Sequence, residues 1–183
     1  MKRYLLPFEI FFLFLLPFSI HAEIEHEFSP LVSLYTGDAL RSSILSSFSY
    51  TLHLNSTFWV GVDSLIGPIN VDQPNGLGLT GNEKFKSVNG TFYINLPTLL
   101  GAKKVGDDGL ASDLYTSFGL GYFWLGGQKQ VYGFWGGGML LRTGLKWLGV
   151  RFDLKGLFLK LNNSQGSDFN SDLALSLGPT LLF

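Results

Sequence analysis

Three charged side chains, Arg151, Asp153 and Lys155, occupy every second position of an otherwise apolar segment. Residues two apart point to the same side of an extended strand, so the three charges form one row, whereas a helix would scatter them around its axis. If the row faces the inside of a closed sheet, the charges must be ion-paired or hydrated. Asp63, on another predicted strand, is a candidate partner. The four residues therefore predict an interior polar network or, alternatively, the lining of a narrow ion path.

Histidine is scarce, and the sequence offers little catalytic chemistry. A hydrolase of the serine type would need a histidine near a serine and an acid. We expect His21 to leave with an export signal and His26 to lie in an N-terminal tail, which leaves His53, beside a short turn. We interpret His53 as a polar interfacial residue and predict no catalytic residue. Asp107 and Asp108 lack the spacing of a calcium loop, so no metal or cofactor is expected.

Alternation of apolar and polar residues at period two predicts eight strands. The seventh is the clearest, because Leu148, Val150 and Phe152 face away from the charged row. The sixth is ambiguous, because both of its faces are apolar around glycines 136–138, a run that predicts a bulge or a close backbone approach. The predicted strands are 30–36, 42–54, 57–65, 90–97, 113–125, 129–141, 146–161 and 172–183.

The composition fits one all-β domain. Apolar residues make up 46% of the 183 residues and aromatic residues 15%, with 23 glycines and no cysteine. Beyond the N-terminal segment, no apolar run is long enough for a membrane-spanning helix. These features suggest a β-barrel or a β-sandwich. The net charge of −1 gives no electrostatic reason to expect nucleic acid binding.

The N-terminal segment has the features of an export signal. A positively charged start is followed by an apolar run over 4–20, which ends near Ala22 as the cleavage point. A retained transmembrane anchor is the alternative, but two prolines interrupt the run and Glu9 would be costly in lipid. We therefore predict a cleavable signal peptide over 1–22 and a single barrel domain over 23–183.

The chain ends on an aromatic residue within a strongly alternating segment. Leu177, Leu181 and Phe183 fall on one face, while small or polar residues fall on the other. The first face suits contact with hydrocarbon. The closing strand of a bacterial outer-membrane barrel commonly has this pattern.

The chain resembles the small eight-stranded outer-membrane barrels. The features that match are the signal over 1–22, the even set of alternating strands and the terminal segment 177–183. The layout is similar to that of the OmpA membrane domain and OmpX. Segments 95–101 and 113–121 resemble proteins described simply as outer membrane beta-barrel domain proteins. The resemblance implies an eight-stranded antiparallel transmembrane β-barrel in contact with outer-membrane lipids. It also implies that the barrel-assembly machinery recognises the closing strand through its terminal aromatic, and it supplies no catalytic residue.

An even strand number puts both termini on the periplasmic side, with short turns there and longer loops outside. The short turns at 55–56 and 142–144 fit this rule. We expect external loops over 67–89 and 162–171, and these would be the surfaces that meet an extracellular ligand. The junctions that fit less well are 37–41, 103–112 and 126–128.

Aromatic side chains divide between the barrel interior and the two membrane interfaces. We assign Trp59 and Tyr115, which are on inward faces, to packing. The residues expected in interfacial girdles are Tyr50, Tyr122, Trp124, Trp135 and Trp147.

The leading prediction is a non-enzymatic outer-membrane barrel with a structural or surface-interaction role. A narrow channel through Asp63, Arg151, Asp153 and Lys155 is the first alternative, but side chains can fill the interior of an eight-stranded barrel. A lipid-modifying enzyme is less expected, because His53 lies at the periplasmic end and such barrels act on the outer leaflet. A soluble β-sandwich or lipocalin-like carrier would leave outward Phe and Leu rows exposed to water.

Overall fold

Eight antiparallel strands close into one barrel, each paired with its neighbours in chain order and the first paired with the last. This computed structural model describes residues 25–37, 42–71, 81–100, 111–163 and 166–183. The strands are β1 (Glu25–Gly37), β2 (Ser43–His53), β3 (Phe58–Val71), β4 (Gly81–Asn95), β5 (Ala111–Leu125), β6 (Gln128–Arg142), β7 (Leu148–Asn163) and β8 (Gly166–Leu182). A short helix, α1 (Leu96–Leu99), follows β4. The predicted fold, an all-β antiparallel barrel of eight strands, is confirmed.

Side chains alternate between the inside and the outside of the barrel, as the two-residue period of a strand requires. Along β2 the odd-numbered residues are buried and the even-numbered residues lie outside. The outside carries large apolar side chains: Val32 is 63% exposed, Leu120 67% and Trp135 64%. A protein surrounded by water would direct most such side chains inward.

The strands are longer than the sequence predicts, and the two loops that it predicts to be external are correspondingly shorter. The β3–β4 ladder extends to the pair Val71 and Gly81, and the β7–β8 ladder to Asn163 and Gly166. The predicted loops over 67–89 and 162–171 are therefore wrong in extent. Polar residues on both strand faces look like loop residues in the sequence, yet cross-strand hydrogen bonds hold them in a ladder. Residues 72–80 and 164–165 lie outside the described part of the chain.

Two of the connections are tight turns with clear local causes. Gly126 and Gly127 form the two-residue β5–β6 turn with positive φ values of 52° and 84°, the backbone that a twisted hairpin favours. This conformation explains how a connection that the sequence predicts to be external can be so brief. Between β2 and β3, the Asn55 side-chain oxygen accepts hydrogen bonds from the amides of Thr57 and Phe58, both at 2.8 Å.

Other strand boundaries differ by a few residues from the predicted ones. β4 ends at Asn95 rather than continuing to 97, because the Asn95 side chain caps α1 by accepting from the Thr98 amide at 3.2 Å. β7 begins at Leu148 rather than at 146. The predicted junctions over 37–41 and 103–112 fall largely outside the described residues.

The last residue helps to close the barrel. The His26 amide donates to the Phe183 carbonyl at 2.8 Å, the Phe183 amide donates back at 3.0 Å, and the two rings stack at 5.7 Å. The expectation that His26 lies in a tail is therefore wrong, since β1 begins at Glu25. The β1–β8 pairing is interrupted between Phe28 and Val32, and its register is the same on both sides of the interruption. This register puts Pro30 opposite Pro179.

Glycines 136–138 mark a close backbone approach and not a bulge. β6 pairs with β5 and with β7 through this run without a change of register. A methyl group on Gly136 would overlap the Leu154 carbonyl, and one on Gly138 would overlap the Phe152 carbonyl and the Tyr115 ring. Glycine is thus required here by the neighbouring backbone.

We predict that Gly136→Ala destabilises the barrel, by about 1–3 kcal/mol, because the added methyl forces the β6 and β7 backbones apart. Urea unfolding of the protein refolded into lipid vesicles, followed by tryptophan fluorescence, would measure this. Gly133→Ala on the same strand is the matched control, since a methyl there meets nothing within 4 Å. Equal losses for the two variants would contradict the steric explanation.

Candidate functional site

The two halves of the barrel interior differ in chemistry. In the half nearest the chain termini, ionisable side chains point inward and contact one another. We call this set the ionic network. Its members are Glu25, Glu27, His53, Asp63, Asp113, Arg142, Arg151, Asp153 and Lys155.

Arg151, which is 1% exposed, is the centre of the ionic network. Its Nη1 donates to Glu27 Oε1 at 2.7 Å and its Nε donates to Asp153 Oδ2 at 2.8 Å. The guanidinium carbon lies 4.9 Å from the Tyr93 ring centroid and 5.2 Å from that of Tyr115. Arginine suits this position because its planar fork reaches two carboxylates while aromatic rings cover its faces.

Lys155 and Asp63 form a second ion pair one layer further into the barrel. Lys155 Nζ donates to Asp63 Oδ2 at 2.7 Å, which links β7 to β3 across the lumen. The same carboxylate accepts from the hydroxyls of Thr91 and Tyr93, the latter at 3.0 Å. The structure therefore brings the four sequence-predicted residues into one network, with Asp63 on Lys155 and Asp153 on Arg151.

His53 is buried, contrary to the prediction of a polar interfacial residue. Its Nε2 lies 3.1 Å from Glu27 Oε2, its Nδ1 lies 3.3 Å from Glu25 Oε2, and its ring stacks on Trp59 at 4.1 Å. Both ring nitrogens thus face carboxylates. The prediction was wrong because it treated Glu25 and Glu27 as a tail. Their alternation with Ser29 is the signal that could have shown β1 to begin there.

Arg142, which the sequence places in a turn, completes the network near the termini. Its two terminal nitrogens donate to the Glu25 carboxylate at 2.5 and 2.8 Å, and its Nε donates to Asp113 at 2.9 Å. Asn95 donates to the other Asp113 oxygen at 2.9 Å. This end of the lumen is therefore spanned by charged side chains from β1, β5 and β6 and by the neutral amide of Asn95 from β4, all joined by hydrogen bonds.

The other half of the interior is filled by apolar and aromatic side chains, which we call the aromatic plug. Its ring-to-ring contacts run from Tyr35 to Phe85, Phe123, Tyr132 and Phe134, with centroids 5.5 to 6.4 Å apart. The aliphatic residues that pack with them are Leu45, Leu65, Ile69, Leu125, Leu157, Leu159 and Ala174. None of these side chains is more than 3% exposed, so water has almost no access to this layer of the described structure.

The tyrosines of the aromatic plug do not leave their hydroxyl groups unpaired. Tyr35 donates to Asp172, and Tyr132 donates to Asn89. A buried hydroxyl without a partner would cost a few kcal/mol, about 1–3 by mutational measures. The plug is therefore a packed and hydrogen-bonded layer, and sequence reasoning missed it because Phe85 falls inside the segment predicted as a loop.

Most of the aromatic residues expected at the two interfaces lie near the ends of the strands. Tyr50 and Trp147 lie near the end with the termini, and Tyr122 and Trp124 near the opposite end. Trp135 differs, because its register partner Phe118 is at the middle of β5. Two further aromatic residues are inside, as predicted: Trp59 and Tyr115 are 1% and 2% exposed.

The residues that the structure describes contain neither a membrane-spanning helix nor a cluster of metal-binding side chains. No described helix has the length and apolar character needed to cross a membrane. Within the same residues, no three His, Asp or Glu side chains are arranged to hold a metal ion.

A closed antiparallel sheet of eight strands, filled inside and apolar outside, is the architecture of the small outer-membrane β-barrels. Among solved structures with this fold, the chain is similar to the outer membrane protein AlkL in lipid bilayers, with a TM-score of 0.54 and 11% identity over 88% of this chain and 90% of that one. It is also similar to Ail of Yersinia pestis in a phospholipid nanodisc, with a TM-score of 0.51 and 12% identity over 88% and 100% of the two chains.

Neisserial surface protein A is a third similar structure, with a TM-score of 0.50 and 10% identity over 86% of this chain and 96% of that one. No protein-family description and no curated protein sequence matches the chain. At 10–12% identity, the likeness to these structures concerns the fold alone.

We predict that Lys155→Met lowers the free energy of unfolding by about 3–5 kcal/mol, because it leaves the buried Asp63 carboxylate without its cation. Adding Asp63→Asn should recover about 0.5–3 kcal/mol, since the two residues interact directly. Lys160→Met is the matched control: Lys160 is on the same strand, but its side chain is exposed, so the change should stay within about 0.5 kcal/mol. Unfolding in lipid vesicles would measure these variants and Asp63→Asn alone, and strictly additive losses would refute the coupling.

Proposed function

We propose that the mature chain is an integral outer-membrane barrel without a pore and without catalytic activity, and that it acts as a structural and surface-contact protein. The observation that carries this proposal is the doubly closed lumen. The ionic network spans one half, and the aromatic plug fills the other. With the interior occupied, the outer wall and the two ends remain for interaction.

The apolar outer wall supports a membrane location. On β5 the outward residues from Leu114 to Tyr122 are eight positions apart along the strand. At about 3.4 Å per residue and a tilt of about 40°, they span about 21 Å along the barrel axis, close to the apolar band of about 25 Å in such barrels. In water, so large an apolar surface would drive aggregation, which argues against a soluble carrier.

Export and assembly complete this proposal. Cleavage of the signal over 1–22 would let β1, which begins at Glu25, start close to the new N-terminus. Both termini then lie in the periplasm, and the β5–β6 turn lies outside the cell. Leu177, Leu181 and Phe183 point outward at the end of the chain, where the barrel-assembly machinery could contact them.

A channel is disfavoured by the pairing of the charges that would line it. Asp63, Arg151, Asp153 and Lys155 hold one another at 2.7 to 2.8 Å in two ion pairs. An ion crossing this layer would have to separate charges that the barrel keeps away from water. It would then meet the aromatic plug, whose packed side chains leave almost no access to water.

The contacts of His53 disfavour a hydrolase. Both of its ring nitrogens face the carboxylates of Glu25 and Glu27, so neither is left to activate a serine hydroxyl. His53 is also 5% exposed and lies inside the barrel wall, away from a lipid substrate. A positioning role within the ionic network accounts for the residue without catalysis.

Two projecting hairpins would provide the surface for extracellular contacts. β7 and β8 have 16 and 17 residues, more than the 9–11 that a tilted strand needs to cross a bilayer. The excess lies on the side opposite the termini, where the β3–β4 ladder is also extended. We infer that contact with an external ligand, which the sequence assigned to loops over 67–89 and 162–171, would involve stiff strand ladders.

Spin labels should show the outer wall of β7 in hydrocarbon. The chain has no cysteine, so Val150→Cys, Phe152→Cys and Leu154→Cys each introduce a single labelling site. In lipid vesicles we expect all three labels to be more accessible to oxygen than to a water-soluble nickel reagent. Gly144→Cys, in the exposed turn between β6 and β7, is the aqueous control. Water-like labels at the three outward sites would overturn the membrane assignment.

We expect the folded protein to show no ion conductance in planar bilayers, because the aromatic plug excludes water and the ionic network is paired. Folding would be verified by the altered gel mobility of the unboiled barrel. If conductance steps did appear, Asp153→Ala or Lys155→Ala should change their ion selectivity. Steps with that dependence would replace this proposal with a channel through the lumen.

A further inference from the structure

Three lysines share one groove on the outer wall, at the barrel end far from the termini. Lys86 on β4 and Lys129 on β6 are register partners of Trp124 on β5, one from each side. Lys84 lies two residues from Lys86 on the same face of β4. The three side chains are exposed, and together with the β5–β6 turn they line a groove of about 480 Å³. Directly paired residues have Cβ atoms about 5 Å apart, so Lys86 and Lys129 flank a single indole, and Lys84 lies diagonal to it.

These three ammonium groups have no anionic partner among the described residues. No carboxylate there lies within ion-pair distance of Lys84, Lys86 or Lys129. The acidic neighbour in the sequence, Glu83, points to the inner side of β4 by the two-residue period. Three like charges that line one groove repel one another, so an external anion would stabilise the arrangement.

The outer wall as a whole carries charge of one sign. At the outward-facing strand positions whose side chains the structure describes, every Asp, Glu, Lys or Arg position is occupied by lysine. These lysines are Lys84, Lys86, Lys129 and Lys160. All lie towards the end of the strands that is opposite the termini, beyond the apolar rows.

The surface directly below the groove is apolar. Leu120 and Val131 are 67% and 63% exposed. Between these apolar residues and the lysines lie the rings of Tyr122 and Trp124, which meet edge to face with their centroids 4.7 Å apart. Amphipathic rings of this kind prefer the height of lipid head groups. A ligand that fits the whole surface is therefore anionic at one end and apolar at the other.

We propose that this groove binds the phosphate of an anionic lipid head group in the external leaflet. Lys84, Lys86 and Lys129 contact the phosphate oxygens, and the Tyr122–Trp124 pair packs against the start of the acyl region. A membrane lipid is favoured over a free anion because the apolar rows continue directly beneath the lysines. The inference rests on the proposed membrane location, which puts these lysines at head-group height.

The test is lipid retention by the folded protein in micelles of a neutral detergent, measured by native mass spectrometry. The probe is lipid A, a glycolipid that carries phosphate, and the comparison probes are dephosphorylated lipid A and inorganic phosphate. We expect lipid A to bind at least tenfold more tightly than either comparison probe. Equal binding of the dephosphorylated lipid, or full competition by inorganic phosphate, would overturn the proposal.

Variants separate this site from general attraction to charge. The triple substitution K84Q/K86Q/K129Q should weaken lipid A binding at least tenfold, whereas the arginine triple K84R/K86R/K129R should retain it within threefold. K146Q, in the exposed turn at the opposite end, is the matched control and should change binding less than twofold. Unboiled gel mobility shows whether each variant is folded. Unchanged binding in the folded triple Gln variant would refute the site. Because the assay uses micelles, that outcome leaves the spin-label and conductance tests of the barrel unaffected.

Discussion

The rest of the structure depends on closure of the sheet, and the proposed membrane location would require it, because hydrocarbon cannot hydrogen-bond a peptide group. The closing contact joins β1 to β8, the two ends of the described barrel. Pro30 and Pro179 face each other there, and neither ring has an N–H to donate. Side chains reinforce the same seam from inside. Ser29 bonds to Thr180 at 2.8 Å, and Ser33 bonds to Ser176 at 2.6 Å.

Closure with eight strands also creates a narrow interior, and the chain fills it in two different ways. The ionic network ties strands that are not neighbours, as when Lys155 on β7 meets Asp63 on β3. Such pairs are not an efficient source of stability, because desolvation offsets much of their attraction. They do specify register, since a one-residue slip of β7 would turn Arg151, Asp153 and Lys155 outward onto the apolar outer wall. The aromatic plug then supplies the apolar packing.

The two-residue alternation of apolar and polar side chains predicts the fold and the ionic core of the lumen. It cannot predict where the hydrogen-bonded ladders between strands end. Arg151, Asp153 and Lys155 alternate within an apolar segment, so both faces of β7 are visible from the sequence alone. The segment around Phe85 is different, because its polar and glycine neighbours look like a loop until β3 is placed beside it. The same holds for Glu25, whose place in a strand depends on its pairing with His53.

This error also explains why the sequence shows only part of the candidate site. His53 and Arg142 are each next to a turn, and a residue next to a turn is expected to face water. Both instead point into the barrel, where Glu25 lies between them. Both oxygens of its carboxylate accept from Arg142, and Oε2 also faces His53. The placement of three residues thus depends on a single contact between β1, β2 and β6. Sequence periodicity describes one strand at a time and contains no information on that contact.

The distribution of charge suggests where interaction with other molecules can occur. Inside, each carboxylate of the ionic network contacts a cationic side chain or His53, so these charges are held by one another within the lumen. Outside, the charged residues of the described strands are lysines, and they lie at one end only. A cation at the surface of a closed barrel cannot reach the interior carboxylates, because the wall lies between them. Among the described residues no carboxylate forms an ion pair with Lys84, Lys86 or Lys129, so the electrostatic attraction of these lysines is directed at what lies around that end of the barrel.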